Sequence, residues 1–162
     1  MNTSKSLPLH IFLAEDDEDD RLLFSDALLE IDSSAVLTEA ENGKVLMNKL
    51  YISSSHLPEI VFLDINMPLQ NGYECLQEIR SNKGNLRNLH IVVLTTDCNK
   101  DHIDAVYNLG ATYYVVKPEN YNGLKSVIAK LLKIDWMHQT VRPDRKHFVI
   151  QADLLHTKKS TI

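Results

Sequence analysis

The chain has 162 residues, 44% of them hydrophobic and 24% charged, which suits one domain with a sizeable core and a short appendage. Seventeen basic against 22 acidic side chains leave a net charge of −5, which argues against wholesale nucleic-acid binding. Two cysteines without CxxC or zinc spacing argue against a disulfide framework, and no apolar run approaches membrane-spanning length; with no signal-peptide core in residues 1–8, a cytoplasmic protein is expected.

Residues 9–14 read as a first strand that runs into six consecutive acids, Glu15 to Asp20. A helix is predicted over 18–31, with Leu23, Ala27, Leu28 and Ile31 at helical spacing and its acids at the positive end of the helix dipole. Asp17 is expected to cap it. Residues 35–40 form a weaker strand, and Asn42-Gly43 opens a helix carrying Val45, Leu46, Leu50 and Ile52. Ile60 to Leu63 is a short, continuously apolar run, as in a strand buried on both faces, and it ends on Asp64 before Pro68 stops further pairing.

A third helix follows Asn71-Gly72, with Tyr73, Leu76 and Ile79 on one face. Residues 90–95 form another doubly buried strand ending on Thr95 and Thr96. A helix through Ile103, Val106 and Leu109 stops at Gly110. Residues 112–116 form a fifth strand ending on Lys117-Pro118, and a last helix spans about 121–134 with Leu124, Ile128, Leu131 and Leu132 inward. Residues 135–162 break the pattern. They carry a net +2, read as solvated surface or a subunit contact. Residues 146–150 could form a short strand, Trp136 is expected to pack the tail onto the domain, and 156–162 is expected to fray.

Strand and helix thus alternate five times, which predicts a doubly wound parallel sheet with helices on both faces. Parallel strands send their carboxyl ends to one edge, where such folds bind ligands. That edge receives Glu15 and Asp16, Asp64, Thr95 and Lys117. Three clustered carboxylates repel unless a divalent cation sits among them, and oxygen donors suit Mg²⁺ or Mn²⁺. A lysine and a threonine hydroxyl are what a phosphoryl group needs, and a carboxylate can accept it as an aspartyl phosphate.

Glu15-Asp16, Asp64 followed by Met67-Pro68 and Asn71-Gly72, Thr95-Thr96 and Lys117-Pro118 resemble the receiver domain of two-component response regulators, the CheY-like family. The intervals are 48 residues from Asp16 to Asp64, 31 on to Thr95 and 22 on to Lys117. The resemblance covers about 9–134 and looks like the stand-alone receivers. It implies a flavodoxin-like fold with five strands in order 2-1-3-4-5, an N-terminal tail over 1–8, and a C-terminal extension over 135–162 with no effector domain.

The roles it implies are these. Asp64 accepts the phosphoryl group from a phosphohistidine. Asp16, Asp64, the backbone carbonyl of Asn66 and, mainly through water, Glu15 hold the Mg²⁺ or Mn²⁺. Thr95 and Lys117 contact the phosphoryl oxygens, and Thr95 and Tyr114 form a switch in which the ring turns inward as Thr95 moves. The Lys117-Pro118 bond is cis in such proteins. Asn66 and Asp97, two residues beyond Asp64 and Thr95, are expected to tune phosphoryl lifetime. Glu119 stands where the family often has Phe.

The expected protein is therefore not an enzyme but a phosphorelay receiver with no nucleic-acid or membrane partner. Its upstream partner would be a sensor histidine kinase, with a phytochrome type suggested by the resemblance, or a phosphotransfer protein. A downstream protein and a homodimer are left open. The alternative is a phosphatase of the haloacid-dehalogenase type, which needs an acid where Asn66 stands. A flavodoxin-like nucleotide binder is disfavoured because Glu15 to Asp20 would repel phosphate.

Overall fold

The structure, a computed structural model, describes residues 7–152; the frayed end expected at 156–162 and most of the N-terminal tail lie outside the described residues. Six parallel strands stand in the order β2-β1-β3-β4-β5-β6. They are β1 (His10–Ala14), β2 (Val36–Ala40), β3 (Ile60–Leu63), β4 (His90–Thr95), β5 (Tyr113–Val116) and β6 (Val149–Ile150). The helices are α1 (Glu18–Ile31), α2 (Gly43–Ile52), α3 (Gly72–Ser81), α4 (Lys100–Leu109) and α5 (Tyr121–Leu132).

Alternation along the strands divides the core in two. Phe12, Ala14, Val61, Leu63, Ile91, Val93 and Tyr114 meet Leu46, Leu50, Leu76, Ile79 and Val106 from α2, α3 and α4. Ile11, Leu13, Phe62, Val92, Leu94 and Val115 meet Phe24, Leu28, Val127 and Leu131 from α1 and α5. This is the expected doubly wound, flavodoxin-like arrangement. Each helix starts on an Asn or Asp whose side chain accepts a main-chain hydrogen bond, Asp17 included. Gly110 closes α4 at φ 99°, in the left-handed region where a Cβ is disfavoured.

Two expectations need correction. Leu23 is 44% exposed, and Phe24 takes the inward place on α1. The helix has apolar residues in two phases, and the larger ring, packed edge-on against Phe62, wins the core. The sheet also has six strands rather than five. Trp136 is buried, donates from Nε1 to the Leu131 carbonyl at 3.0 Å, and packs against Tyr113 and His90. The chain then runs back so that Val149 and Ile150 pair with Tyr114 and Val115. Without them the outer backbone groups of β5 would lack partners; the Tyr114 amide instead donates to the Phe148 carbonyl at 3.0 Å.

Candidate functional site

The sheet's hydrogen bonding runs one residue past the strands and fixes the functional groups at their ends. The Glu15 amide donates to the Ala40 carbonyl and the Asp64 amide to the Ala14 carbonyl, each at 3.0 Å, and the Lys117 amide donates to the Thr95 carbonyl at 2.7 Å. Glu15, Asp64 and Thr95 are buried, Lys117 is half-buried, and Asp16 is exposed. All the strand-end residues expected at this edge therefore meet there.

Glu15, Asp16 and Asp64 each bring a carboxylate oxygen within 4.8 Å of the others. The Lys117 ammonium lies 2.6 Å from Glu15, 3.2 Å from Asp20 and 3.8 Å from Asp64. Arg21 donates to the Glu15 and Asp16 carbonyls at 2.8 and 3.2 Å, which holds the acidic loop against α1. Asp20 was not foreseen at the site. Asp20 stands in the first turn of α1 at the end of the acidic run from Glu15, and that run is the signal that could have found it.

The loop after Asp64 is held close. The Gly72 amide donates to the Ile65 carbonyl at 2.8 Å, and a Cβ at residue 72 would stand 2.5 Å from the Asp64 carbonyl oxygen, so only glycine fits. Asn66 is exposed, and its amide approaches Asp64 Oδ1 at 3.4 Å. Leu69 takes a φ of 67°, a left-handed conformation uncommon outside glycine. The Lys117–Pro118 bond is trans, unlike the cis bond expected from the resemblance. Trans is the resting preference of such bonds by about 0.5–1 kcal/mol.

Burial pushes the Glu15 carboxyl up to about 7, with Asp64 adding to the rise and Lys117 opposing it. Burial also raises Asp64, against the pull of Lys117. For Lys117, burial works against the charge, but contact with Glu15 and the nearby carboxylates outweigh it and the ammonium is held above its ordinary value. Charge crowding of this kind is what a divalent cation relieves. The oxygen donor set therefore fits a hard divalent cation.

A second cluster adjoins the first. Thr95 Oγ1 accepts a long bond, 3.4 Å, from the Asp97 amide. The Tyr114 hydroxyl donates to the Asp97 carbonyl at 2.5 Å, and its ring is buried. The Asp97 carboxylate accepts from the Asn99 amide at 2.8 Å and pairs with His102. Phe148, from the extension, packs on Tyr114. Neither His102 nor Phe148 was anticipated here. The His102 contact is a local i, i+5 approach, whereas Phe148 arrives by a long return with no local sequence signal.

The fold and the strand-end constellation define a phosphorelay receiver module. The family model described as the response regulator receiver domain matches residues 11–129, and the chain belongs to that family. It is 29% identical over 147 residues to response regulator Rcp1 of Synechocystis sp., covering 88% of this chain and 99% of Rcp1. Among solved structures it is similar to the phosphorylated cyanobacterial phytochrome response regulator RcpA, at TM-score 0.73 and 28% identity, over 85% of this chain and 99% of that one. The Mn²⁺-bound form of Rcp1 gives TM-score 0.69 and 30% identity over 85% and 100%. No helix among the described residues is long and apolar enough to cross a membrane.

Proposed function

We propose that Asp64 is the phosphoacceptor of a signalling receiver, charged by a phosphohistidine on a sensor kinase or phosphotransfer protein. The observation that carries this reading is the meeting of Asp64, two further carboxylates and Lys117 at one sheet edge, with the Lys117 ammonium 3.8 Å from Asp64. In the transfer, an Asp64 carboxylate oxygen bonds to phosphorus as the phosphorus–nitrogen bond breaks, and the imidazole leaves with that electron pair. A bound Mg²⁺ or Mn²⁺ would supply positive charge to the phosphoryl oxygens. Asp16, Asp64, the Asn66 carbonyl and, through water, Glu15 would hold it. Lys117 pairs with a phosphoryl oxygen, as does the Thr95 hydroxyl, which swings inward from its long Asp97 contact.

Movement of Thr95 changes the surroundings of Asp97 and Tyr114, so phosphorylation favours the inward ring and alters the face of α4, β5 and α5. The output is protein contact there, with a downstream protein or a second copy of the chain. Asn66 and Asp97 border the path of hydrolytic water and tune lifetime. The likeness to RcpA and Rcp1 favours a phytochrome-type kinase upstream. The two free cysteines favour a cytoplasmic setting. We assign residues 9–134 to the receiver and 135–162 to its extension, with no turnover of an external substrate; no comparison favours a phosphatase.

The test is incubation with Mg²⁺ and acetyl phosphate or beryllofluoride, beside Asp64→Asn. Modification of Asp64 with a spectral change around Tyr114 is expected. Turnover of many phosphomonoesters without that change would sink the reading.

A further inference from the structure

We infer that residues 142–150 are a strap that clamps Tyr114 in its inward place, and that the strap and phosphorylation of Asp64 stabilise one another. The inference rests on the proposed coupling of Asp64 to Thr95 and Tyr114. Phe148 is fully buried. Its ring lies 6.2 Å from that of Tyr114 on β5 and 5.0 Å, edge-on, from that of Tyr107 on α4. The backbone tie is the Tyr114 amide on the Phe148 carbonyl. The contacts thus join strap, β5 and α4 at one point.

Two arginines fasten the strap to α4. Arg145 donates twice to one oxygen of Asp104, at 2.8 and 3.1 Å, while its guanidinium lies 5.9 Å from the Tyr107 ring centre and 5.7 Å from that of Phe148. Arg142 donates to the Tyr107 carbonyl at 2.9 Å and stacks 5.1 Å over the same ring. These contacts use two of the extension's basic residues within the domain itself, which accounts for part of its local positive charge.

Tyr114 is held from both ends. Its hydroxyl donates to the Asp97 carbonyl, beside the amide that contacts Thr95, and its ring lies against Phe148. A ring that leaves this place gives up the Asp97 bond and its packing with Phe148. Strap binding therefore favours the inward ring. If phosphorylation favours the same ring position, linkage requires each to tighten the other. The strap is then a pre-setting device, and it forms part of the surface a partner meets.

The test uses the full chain with Mg²⁺ and beryllofluoride, read by hydrogen exchange at the Tyr114 amide and by the apparent affinity for beryllofluoride. Binding is expected to slow that exchange severalfold. Phe148→Ala is expected to weaken beryllofluoride binding roughly tenfold, and Arg145→Gln, a milder change at a partly exposed side chain, by a smaller factor. Far-UV circular dichroism checks folding, and Arg145→Gln decides the matter if Phe148→Ala unfolds. Unchanged or faster Tyr114 exchange, while resonances around Asp64 shift, overturns the strap and leaves the Asp64 reading standing. So does parental affinity in the folded variants. If the parent and Asp64→Asn respond alike to beryllofluoride, the Asp64 reading fails and the strap coupling falls with it.

Discussion

The Lys117 ammonium sits 2.6 Å from Glu15 but 3.8 Å from Asp64, so the lysine is engaged mainly with Glu15, one of the three clustered carboxylates. Under the proposed metal reading, Lys117 and a divalent cation compete for the negative charge of Glu15. Lys117→Ala should tighten Mg²⁺ binding severalfold, on the order of 1 kcal/mol for a charge at this range in a partly solvated site. It should also slow phosphorylation by acetyl phosphate by roughly 10²-fold, as for loss of one donor to a developing oxyanion. A Mg²⁺ titration beside a labelling time course checks both; weaker metal binding in the variant would show that the lysine does not compete.

Gly72 is pressed against the backbone of Asp64 and Ile65. Gly72→Ala would put a methyl 2.5 Å from the Asp64 carbonyl and 2.7 Å from the Ile65 Cα. Both obstacles are backbone, so the loop must shift. A loss of about 1–3 kcal/mol in stability is expected, as for other overpacked sites, with labelling of Asp64 cut at least severalfold. Urea unfolding and acetyl phosphate labelling measure the two effects, and a parental value for both would mean the loop has room to spare.

His90, at the start of β4, links stability to pH at the opposite end of the sheet from Asp64. Its Nε2 donates to the Trp136 carbonyl at 3.0 Å, while its buried Nδ1 has no hydrogen-bond partner among the described residues. Burial holds the imidazole below its ordinary 6.5, with the Arg80 charge adding to the fall and the Trp136 bond opposing it. A depressed histidine binds fewer protons folded than unfolded, so stability rises with pH. The contribution is complete above about 6.5 and is lost as pH falls from there through the folded value. Urea midpoints between pH 7.5 and 5.5 should fall in the parent and fall less steeply in His90→Gln; equal slopes would remove His90 as the cause.

The two thiols should separate cleanly. Cys98 is exposed, whereas Cys75 is fully buried and burial pushes its thiol up to about 12. One equivalent of a thiol reagent should react quickly in native buffer, and the second only as urea unfolds the chain. Cys98→Ser should abolish the fast phase. Two fast equivalents in the parent would contradict the packing of α3 on the sheet.

The strand-end site was legible because its signal is local twice over. Ile60 to Leu63 is apolar without interruption, so the first charge after it, Asp64, must fall at the strand's end; Lys117 follows Tyr113 to Val116 in the same way, and Thr95 is the first hydroxyl after Ile91 to Leu94. Helix α1 is legible in extent but not in phase, because Leu22 and Leu29, seven residues apart, offer a second apolar stripe and Leu23 lies between the two faces, and the space beside Phe62 selects Phe24. The left-handed Leu69 has no glycine or asparagine to announce it. The residues 146–150 suggest a short strand, of which only Val149 and Ile150 pair, but the partner cannot be read from them. A two-residue strand pairing across more than 30 positions of sequence leaves no periodic trace.

Tyr113–Val116 is Tyr-Tyr-Val-Val, four residues with strong strand preference and no charge. Left bare, such an edge is a template on which like edges of other molecules can stack. Two residues of β6 replace it with a rim too short to propagate pairing. A chain shortened at about residue 134 should therefore turn turbid in concentrated solution well below the temperature at which the full chain does.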